Sequence, residues 1–210
     1  YNDKDEFFTM EQLQKIFDIK RINTSPAIFD YKKLMHFNGV YIRQSSIERL
    51  VDLTLPHYIE AGLVSKEPTA EEMAFLKKLM PLVQERLELI NQAPEFSDFF
   101  FGELPPYKTW EMIVPKNVEK AKVVEILSDI RKVVEADFDV KEDKDLEQQL
   151  YELSKKHEVK AGAVFMPLRI AITGINKSPE MFPVMHVIGK EVSLKRIDNA
   201  IEKLKQEIAG

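Results

Sequence analysis

The fold of this chain is decided near its end, by the segment at residues 193–208, which reads SLKRIDNAIEKLKQEI. Its apolar residues recur at steps of three and four, and they are Leu194, Ile197, Ile201, Leu204 and Ile208. This spacing places them along one stripe of an α-helix, and such a stripe needs a partner surface to cover it. The segment therefore predicts a long amphipathic helix, and Ser193 is a residue type that can cap its beginning.

The same helical period appears at two places upstream. One stripe follows Asn117, which can cap a helix, and a second stripe follows about a dozen residues later. Their members are Val123, Leu127, Ile130 and Val134, and then Leu146, Leu150 and Leu153. Both stretches predict helices that pack an apolar face against the rest of the chain.

Helix-start signals recur along the whole sequence. Three segments fit the capping box, in which Ser or Thr is followed three residues later by Glu or Gln: Thr9–Gln12, Ser45–Glu48 and Thr69–Glu72. Ser178-Pro179 fits a cap followed by proline at the first helical position, and Gly189 fits a helix stop. These signals predict many separate helices.

One segment, Val159–Ile172, is apolar enough to form either a strand or a helix. Pro167 lies inside it, which disfavours a central strand and would bend a helix. No other segment shows a convincing strand alternation. The sequence therefore predicts an all-α fold.

A break in the helical pattern runs from Gly102 to Asn117 and contains Pro105-Pro106, Pro115 and the only tryptophan, Trp110. Proline-rich breaks of this kind separate structural units. We therefore expect sequential helical subdomains at residues 1–50, 51–106 and 107–210.

The formal net charge is −5, which argues against a nucleic-acid partner, but the charge is unevenly distributed. Residues 20–49 carry a net +4 and residues 158–210 a net +2. Local basic surfaces on an acidic chain are compatible with RNA binding, and solvated helix faces remain the alternative. The longest apolar stretch, Ala161–Ile175, is interrupted by Pro167 and Arg169, so we expect no membrane partner.

No recognisable reaction centre is present. The four histidines lie outside the spacings of helical metal sites, cysteine is absent, and the seven glycines form no phosphate-binding loop. We therefore expect no catalytic residue, no metal ligand and no cofactor in this chain. The lack of cysteine fits a reducing cytoplasm, and the lack of an initiator methionine suggests a fragment.

Two segments carry a resemblance that the pattern alone does not explain. Residues 21–43 read RINTSPAIFDYKKLMHFNGVYIR, with a Ser-Pro turn, then Phe-Asp, Lys-Leu and Asn-Gly-x-Tyr-Ile-Arg. Residues 166–174 read MPLRIAITG and are followed by SPEMF at 178–182, IGKE at 188–191, KRI at 195–197 and AI at 200–201. In order and spacing, both segments resemble the C-terminal portion of bacterial glutamyl-tRNA synthetases, although that family usually has Trp at the position of His36.

The resemblance implies a helical portion that binds the anticodon and stem of transfer RNA without the catalytic domain. In this interpretation residues 1–50 contact the stem, and residues 51–106 and 107–210 are two anticodon-binding subdomains. The family's ATP-binding signatures are absent from these 210 residues, so ATP and Mg²⁺ would belong to the parent protein. The expected partner is tRNA(Glu), with tRNA(Gln) as an alternative second substrate, and a monomer is expected. The residues that align with the family's anticodon contacts are Arg86, near the third base, Arg169, near the middle base, and Ser178, Pro179 and Met181, around the first base. The residues expected to contact the RNA backbone are Lys20, Arg21, Lys32, Lys33 and Arg43.

Purely structural roles are the alternative for these residues. Arg86 could form a surface ion pair with Glu85, Glu88 or Asp98, and Ser178-Pro179 could serve only as a helix cap. For the whole chain, the alternative is a free-standing helical module that binds another protein and no RNA. A catalytic helical domain is disfavoured by the missing motifs.

Overall fold

A computed structural model describes residues 6–22, 26 and 28–210 of this chain. The side chain of Arg21, and Asn23, Thr24, Ser25 and Ala27 of the first family-like segment, lie outside the described residues. The described residues form ten α-helices and no strand, which confirms the all-α prediction. The helices are α1 Met10–Ile16, α2 Tyr31–Gln44, α3 Ile47–Glu60, α4 Ala70–Gln84, α5 Ala93–Ser97, α6 Lys120–Asp137, α7 Asp143–Lys156, α8 Gly162–Thr173, α9 Met181–Ile188 and α10 Lys190–Ala209.

The chain divides into two compact units, Tyr1–Lys33 and Leu34–Gly210. In the first unit, Thr9 caps α1 through the predicted box: its hydroxyl accepts from the Gln12 N–H, and the Gln12 side chain accepts from the Thr9 N–H at 2.8 Å. The Asp30 carboxylate accepts hydrogen bonds from the N–H groups of Lys32 and Lys33, where α2 begins. The predicted boundaries at residues 50 and 106 stay predictions.

The second unit contains a continuous hydrophobic core to which α2, α3, α4 and α6 to α10 contribute buried side chains. In its first half, α3 packs against α4 and α5. In its second half, α6 packs against α7, α8 and α10, so the two stripes that the sequence indicated at Val123 and Leu194 face one another. The helix α9 contacts both α4 and α10 and thereby joins the two halves.

The ambiguous segment Val159–Ile172 forms most of α8, which contains Pro167 and buries eight of its twelve residues. The helix ends at Gly174, whose φ of 72° is the left-handed conformation that glycine adopts without strain. A Cβ at Gly174 would collide with the Pro106 carbonyl, because the proline-rich break passes directly over this point. Glycine therefore permits both the helix end and the close approach of the break.

Four predicted caps are wrong in detail. Ser46, and not Ser45, caps α3, and no box forms with Glu48. Asn117 has a left-handed φ of 65°, and α6 begins after Glu119. Ser178 does not cap α9, which begins at Met181, and α10 begins at Lys190, one turn before Ser193. Gly189 is confirmed as the helix stop, and it also starts α10, since the Ser193 hydroxyl donates back to its carbonyl at 2.8 Å.

Candidate nucleic-acid interface

The loop between α8 and α9, residues 174–180, is held by Arg169 from the middle of α8. Its Nη1 donates to the Ser178 carbonyl at 3.0 Å, to the Pro179 carbonyl at 3.1 Å and to the Ser178 hydroxyl. Arg169 is half-buried on an otherwise apolar helix, so its guanidinium needs acceptors there. The loop supplies backbone carbonyls, and this arrangement fixes the loop's conformation.

Arg86 reaches the same loop from the other side. It follows the end of α4, and its Nη1 donates to the Lys177 carbonyl at 3.2 Å. Its guanidinium carbon lies 5.5 Å from the centre of the Phe96 ring, within the range of a cation–π contact. No described carboxylate forms an ion pair with Arg86, and Asp98 instead pairs with Lys108 at 2.5 Å. The ion-pair alternative for Arg86 is therefore not observed.

Two clefts flank this loop, and together their walls include all five residues that the sequence assigned to the anticodon. The larger cleft, about 480 Å³, is lined by Arg86, Ser178 and Pro179 together with Leu82 and Pro183. The smaller, about 290 Å³, is lined by Arg169 and Met181 together with Phe165 and Lys144. Residues separated by almost a hundred positions in sequence thus meet at one surface.

Both arginines and several carboxylates line this surface. Burial lowers the pKa of Arg169, and the nearby positive charge of Arg86 lowers it further. The Nη1 atom of each guanidinium donates to backbone carbonyls, which carry no compensating negative charge. Carboxylates line both clefts and offset this charge: Glu85 and Glu180 in the larger cleft, and Asp143, Glu147 and Glu180 in the smaller. The surface combines fixed donors with apolar walls, a combination that suits the acceptor-rich edges of unstacked bases.

A contact that sequence reasoning missed joins α4 to α9, whose Leu82 and Pro183 line the larger cleft. Lys78 of α4 donates from Nζ to the carbonyl of His186, in the last turn of α9, at 2.6 Å. The His186 ring stacks on Phe138 at 4.6 Å and lies 2.6 Å from an Asp143 carboxylate oxygen. The Lys78 bond ties α4, which precedes Arg86, to α9, which follows Ser178. No local sequence signal could have found Lys78, because its partner lies 108 residues away.

The residues expected to contact the RNA backbone are distributed over both units. Lys20, Lys32 and Lys33 belong to the first unit, and Lys33 forms an ion pair with Glu6 at 2.7 Å. Arg43 belongs to the second unit, is exposed, and has its guanidinium beside Gly39. The structure therefore does not join these residues into one described surface.

The described histidines have structural partners. His157 is buried against Asp129 at 3.0 Å, and His57 lies 4.0 Å from Glu60. Among the residues that the structure describes, no three His, Cys, Asp or Glu side chains cluster as metal ligands would. None of the helices in the described part is long and apolar enough to cross a membrane.

The sequence of this chain matches one family model and a group of relatives that share one name. The family described as the anticodon binding domain matches residues 49–201. The glutamate–tRNA ligase of Herpetosiphon aurantiacus is 41% identical over 204 residues, which are 97% of this chain and 41% of that protein. That of Borreliella burgdorferi is 36% identical over 205 residues, 98% of this chain and 41% of that protein. The chain thus spans about two fifths of the length of these relatives.

The fold is also found in solved structures. A crystal structure of a glutamate tRNA ligase from Elizabethkingia meningosepticum superposes with a TM-score of 0.74 at 23% sequence identity. The superposition covers 96% of this chain and 38% of that one. At 23% identity the superposition shows only that the two folds are alike. The relationship to the family rests on the sequence matches.

Proposed function

This chain belongs to the anticodon-binding domain family, and from that premise we propose that it recognises the anticodon of tRNA(Glu) as the C-terminal part of a glutamate–tRNA ligase. One observation carries the proposal: Arg86, Arg169 and the loop of Ser178, Pro179 and Met181 meet at a single cleft-bearing surface. An anticodon loop presents unstacked bases in a row, and neighbouring clefts with fixed donors can take them separately.

In this proposal the chain's own residues bind and orient RNA, and they perform no covalent step. ATP and Mg²⁺ serve the parent enzyme, in the part of the relatives' length that this chain does not span. We place the parent enzyme in the cytoplasm, with one chain bound to each transfer RNA.

The test is direct binding of the chain to transfer RNA at fixed salt, because such affinities depend strongly on ionic strength. We expect a tRNA(Glu) transcript to bind more tightly than the same transcript with all three anticodon bases replaced. The variants Arg86→Ala and Arg169→Ala should weaken the first complex. Lys205→Ala, which removes an exposed charge from α10, is the matched control and should leave it unchanged.

Equal affinity for the two transcripts would overturn anticodon recognition. No binding to either transcript would favour the alternative of a helical module that binds another protein. In a separate assay, the chain alone should give no exchange of ATP with pyrophosphate. Measurable exchange in a pure sample would contradict the division of labour proposed for the parent enzyme.

A further inference from the structure

The two ends of α9 have different surroundings. Its first residue, Met181, lines the smaller cleft and follows the loop of Ser178 and Pro179, which line the larger one. Its last turn contains His186, which lines neither cleft and is bonded to neighbouring helices. The helix has eight residues and is about 12 Å long at about 1.5 Å a residue. Because so short a helix moves as a rigid rod, a displacement of one end reaches the other.

Three contacts attach the last turn of α9 to the end of α6 and the start of α7. The His186 ring stacks on Phe138 at 4.6 Å, and its Nε2 lies 2.6 Å from an Asp143 carboxylate oxygen. Lys190, which follows α9, donates to the Asp139 carboxylate at 2.7 Å. The last turn is therefore fixed to the second half of the Leu34–Gly210 unit.

One charged side chain attaches the same turn to the first half of this unit. Lys78 of α4 donates from Nζ to the His186 carbonyl at 2.6 Å, and among the described residues this is the one hydrogen bond between α4 and α9. The last four carbonyls of a helix lack N–H partners within the helix and carry the negative end of its dipole. The His186 carbonyl is one of these four, so the Lys78 ammonium supplies both a donor and a compensating charge.

The apolar packing of α9 does not by itself define its position along α4. The buried residues of the helix are Met181, Phe182, Val184, Met185 and Val187. Apolar burial is non-directional, and methionine side chains adapt to small displacements. A hydrogen bond to one particular carbonyl has a defined length and direction, so it selects one position of α9 against α4.

The two helices that Lys78 joins both line the larger cleft. The helix α4 contributes Leu82, one turn after Lys78, and ends two residues before Arg86, whereas α9 contributes Pro183. Resting on the proposed function, we propose that Lys78 is a positioning residue for anticodon recognition. Acting through α9, it holds the loop of Ser178–Met181 at its distance from Arg86. Lys78 itself contacts no base and no phosphate.

Binding to two anticodon stem-loops measures this role. One stem-loop carries the tRNA(Glu) anticodon, and in the other all three anticodon bases are replaced. Lys78→Met removes the donor and the charge from a side chain of similar length, and it should reduce the ratio of the two affinities by about two- to fivefold. The slope of log affinity against log salt should stay the same, because no phosphate contact is lost.

Three further variants separate positioning from a general effect of charge. Lys78→Arg retains a charged donor and should restore the ratio. Lys77→Met makes the same change at an exposed neighbouring position of α4 and should leave the ratio unchanged. In an Arg86→Ala background, Lys78→Met should alter the ratio little further, because the group against which the loop is positioned is gone.

A distance measurement tests the geometry without RNA. The chain has no cysteine, so Ala74→Cys on α4 and Lys177→Cys in the loop, both at exposed positions, give two unique sites for spin labels. We expect the distribution of distances between the labels to broaden in Lys78→Met and to stay narrow in Lys77→Met. Circular dichroism checks that both variants retain their helices.

The outcomes distinguish this proposal from the proposed function. An unchanged affinity ratio, or an unchanged distance distribution, in Lys78→Met would overturn the positioning role and leave anticodon recognition intact. A shallower salt slope with equal weakening of both stem-loops would mean that Lys78 contacts a phosphate, and it would also overturn the positioning role. If the unmodified chain bound both stem-loops equally, the proposed function would fail, and the role of Lys78 in recognition would fail with it.

Discussion

Arg86 offers only hydrogen-bond donors, and this restricts which base it can accept. Glutamate and glutamine anticodons differ at the third base, which is cytosine in one and guanine in the other. Cytosine presents O2 and N3 acceptors where guanine presents N1–H and N2–H donors. We therefore expect Arg86→Gln to reduce discrimination between stem-loops that differ only at this base by about 1–3 kcal/mol, the usual contribution of a good base-specific pair. The measurement is the ratio of the two dissociation constants.

The Arg86→Gln experiment needs a control variant, because Arg86 also contacts Lys177. Arg86 already donates to the Lys177 carbonyl, so its removal could loosen the loop and weaken both complexes equally. Arg169→Lys disturbs the same loop from the opposite side without altering Arg86. If both variants weaken binding and neither changes the ratio, Arg86 positions the loop and does not read the third base.

Arg196 is fully buried and bonds four backbone carbonyls, those of Phe99, Gly102, Glu103 and Ile172, at 2.6–3.1 Å. Burial lowers its pKa to about 10, so it remains charged at neutral pH. Arg196→Met should destabilise the chain by about 3 kcal/mol or more, because each buried carbonyl left without a donor costs about 1–3 kcal/mol. Urea unfolding measures this loss of stability.

The matched control is Arg131→Met. Arg131 forms ion pairs with Asp198 at 2.6 Å and Glu135 at 2.9 Å, and all three side chains are substantially exposed. Exposed pairs contribute about 0–1 kcal/mol, so this variant should unfold near the wild-type midpoint. Equal destabilisation of the two variants would show that the carbonyl network of Arg196 contributes no more than a surface ion pair.

At the scale of helices, the sequence predicts what is decided locally. The boxes at Thr9 and Thr69 are predicted correctly because both partners lie within one turn. The predicted cap at Asn117 fails because that residue is left-handed and α6 begins after Glu119, whereas the one at Ser178 fails because a contact from another helix outweighs the local signal. The Ser178 hydroxyl and carbonyl both accept from Arg169, so they serve the loop and not the helix that follows.

The residues of the candidate site could be predicted from the sequence, but their long-range contacts could not. The resemblance selects its residues, and the need of Arg169 for a partner follows from its apolar surroundings. The meeting of Arg86 with Lys177, and of Lys78 with His186, depends on how α4 and α9 pack, which no local pattern encodes. Whether the chain divides at Pro105-Pro106 is likewise a matter of tertiary packing.

The capping box of α4 should make stability depend on pH. The Glu72 carboxylate accepts from the Thr69 N–H at 2.8 Å, and from the Ser65 N–H and hydroxyl, which together lower its pKa from 4.5 to about 2. A depressed folded-state pKa stabilises the native chain above about pH 4.5, and this contribution disappears as the pH falls towards 2. Glu72→Gln should therefore lower the urea midpoint at pH 7, and its difference from wild type should shrink over that range.

The comparison needs a variant with the same change of charge. Glu71 also lies in the first turn of α4, where a carboxylate favours the helix dipole, but it takes no part in the box. Glu71→Gln should show a smaller effect at pH 7. A difference between Glu72→Gln and wild type that stayed constant from pH 7 to pH 2 would mean that the box does not hold the carboxylate in its ionised form.

At the scale of the whole molecule, the basic residues near the start of α2 should contribute to the salt dependence of RNA binding. Changing Lys32 and Lys33 to Ala should weaken binding about equally for different anticodons. The salt slope should become shallower by about one for every phosphate that a lysine no longer neutralises. Lys33 is already paired with Glu6, so Lys32→Ala alone should account for most of the effect. An unchanged salt slope in the double variant would show that Lys32 and Lys33 do not face the RNA.

The contacts of the proline-rich break indicate whether the second unit unfolds as a whole or in separate parts. Trp110 Nε1 donates to Glu207 at 2.6 Å, Lys203 Nζ lies 4.1 Å from the centre of the indole ring, and the Thr109 N–H donates to the Gly174 carbonyl at 3.0 Å. The break is thus bonded to α8 and α10, and Arg196 adds bonds to its first two residues, Gly102 and Glu103, and to Phe99 just before it. We therefore expect residues 34–210 to unfold in one cooperative transition.

The sole tryptophan makes this measurable, since Trp110 fluorescence reports on the break while far-ultraviolet circular dichroism reports on all helices. The two urea transitions should coincide, because the contacts that hold Trp110 include residues of α10, which itself packs against α6, α8 and α9. Glu207→Ala removes the indole hydrogen bond and the ion pair of Glu207 with Lys120 at 2.9 Å, and it leaves the core intact, so it should lower both midpoints together. A fluorescence change that preceded the unfolding of the helices in the wild-type chain would instead mean that the break opens on its own and that residues 51–106 and 107–210 behave as separate subdomains.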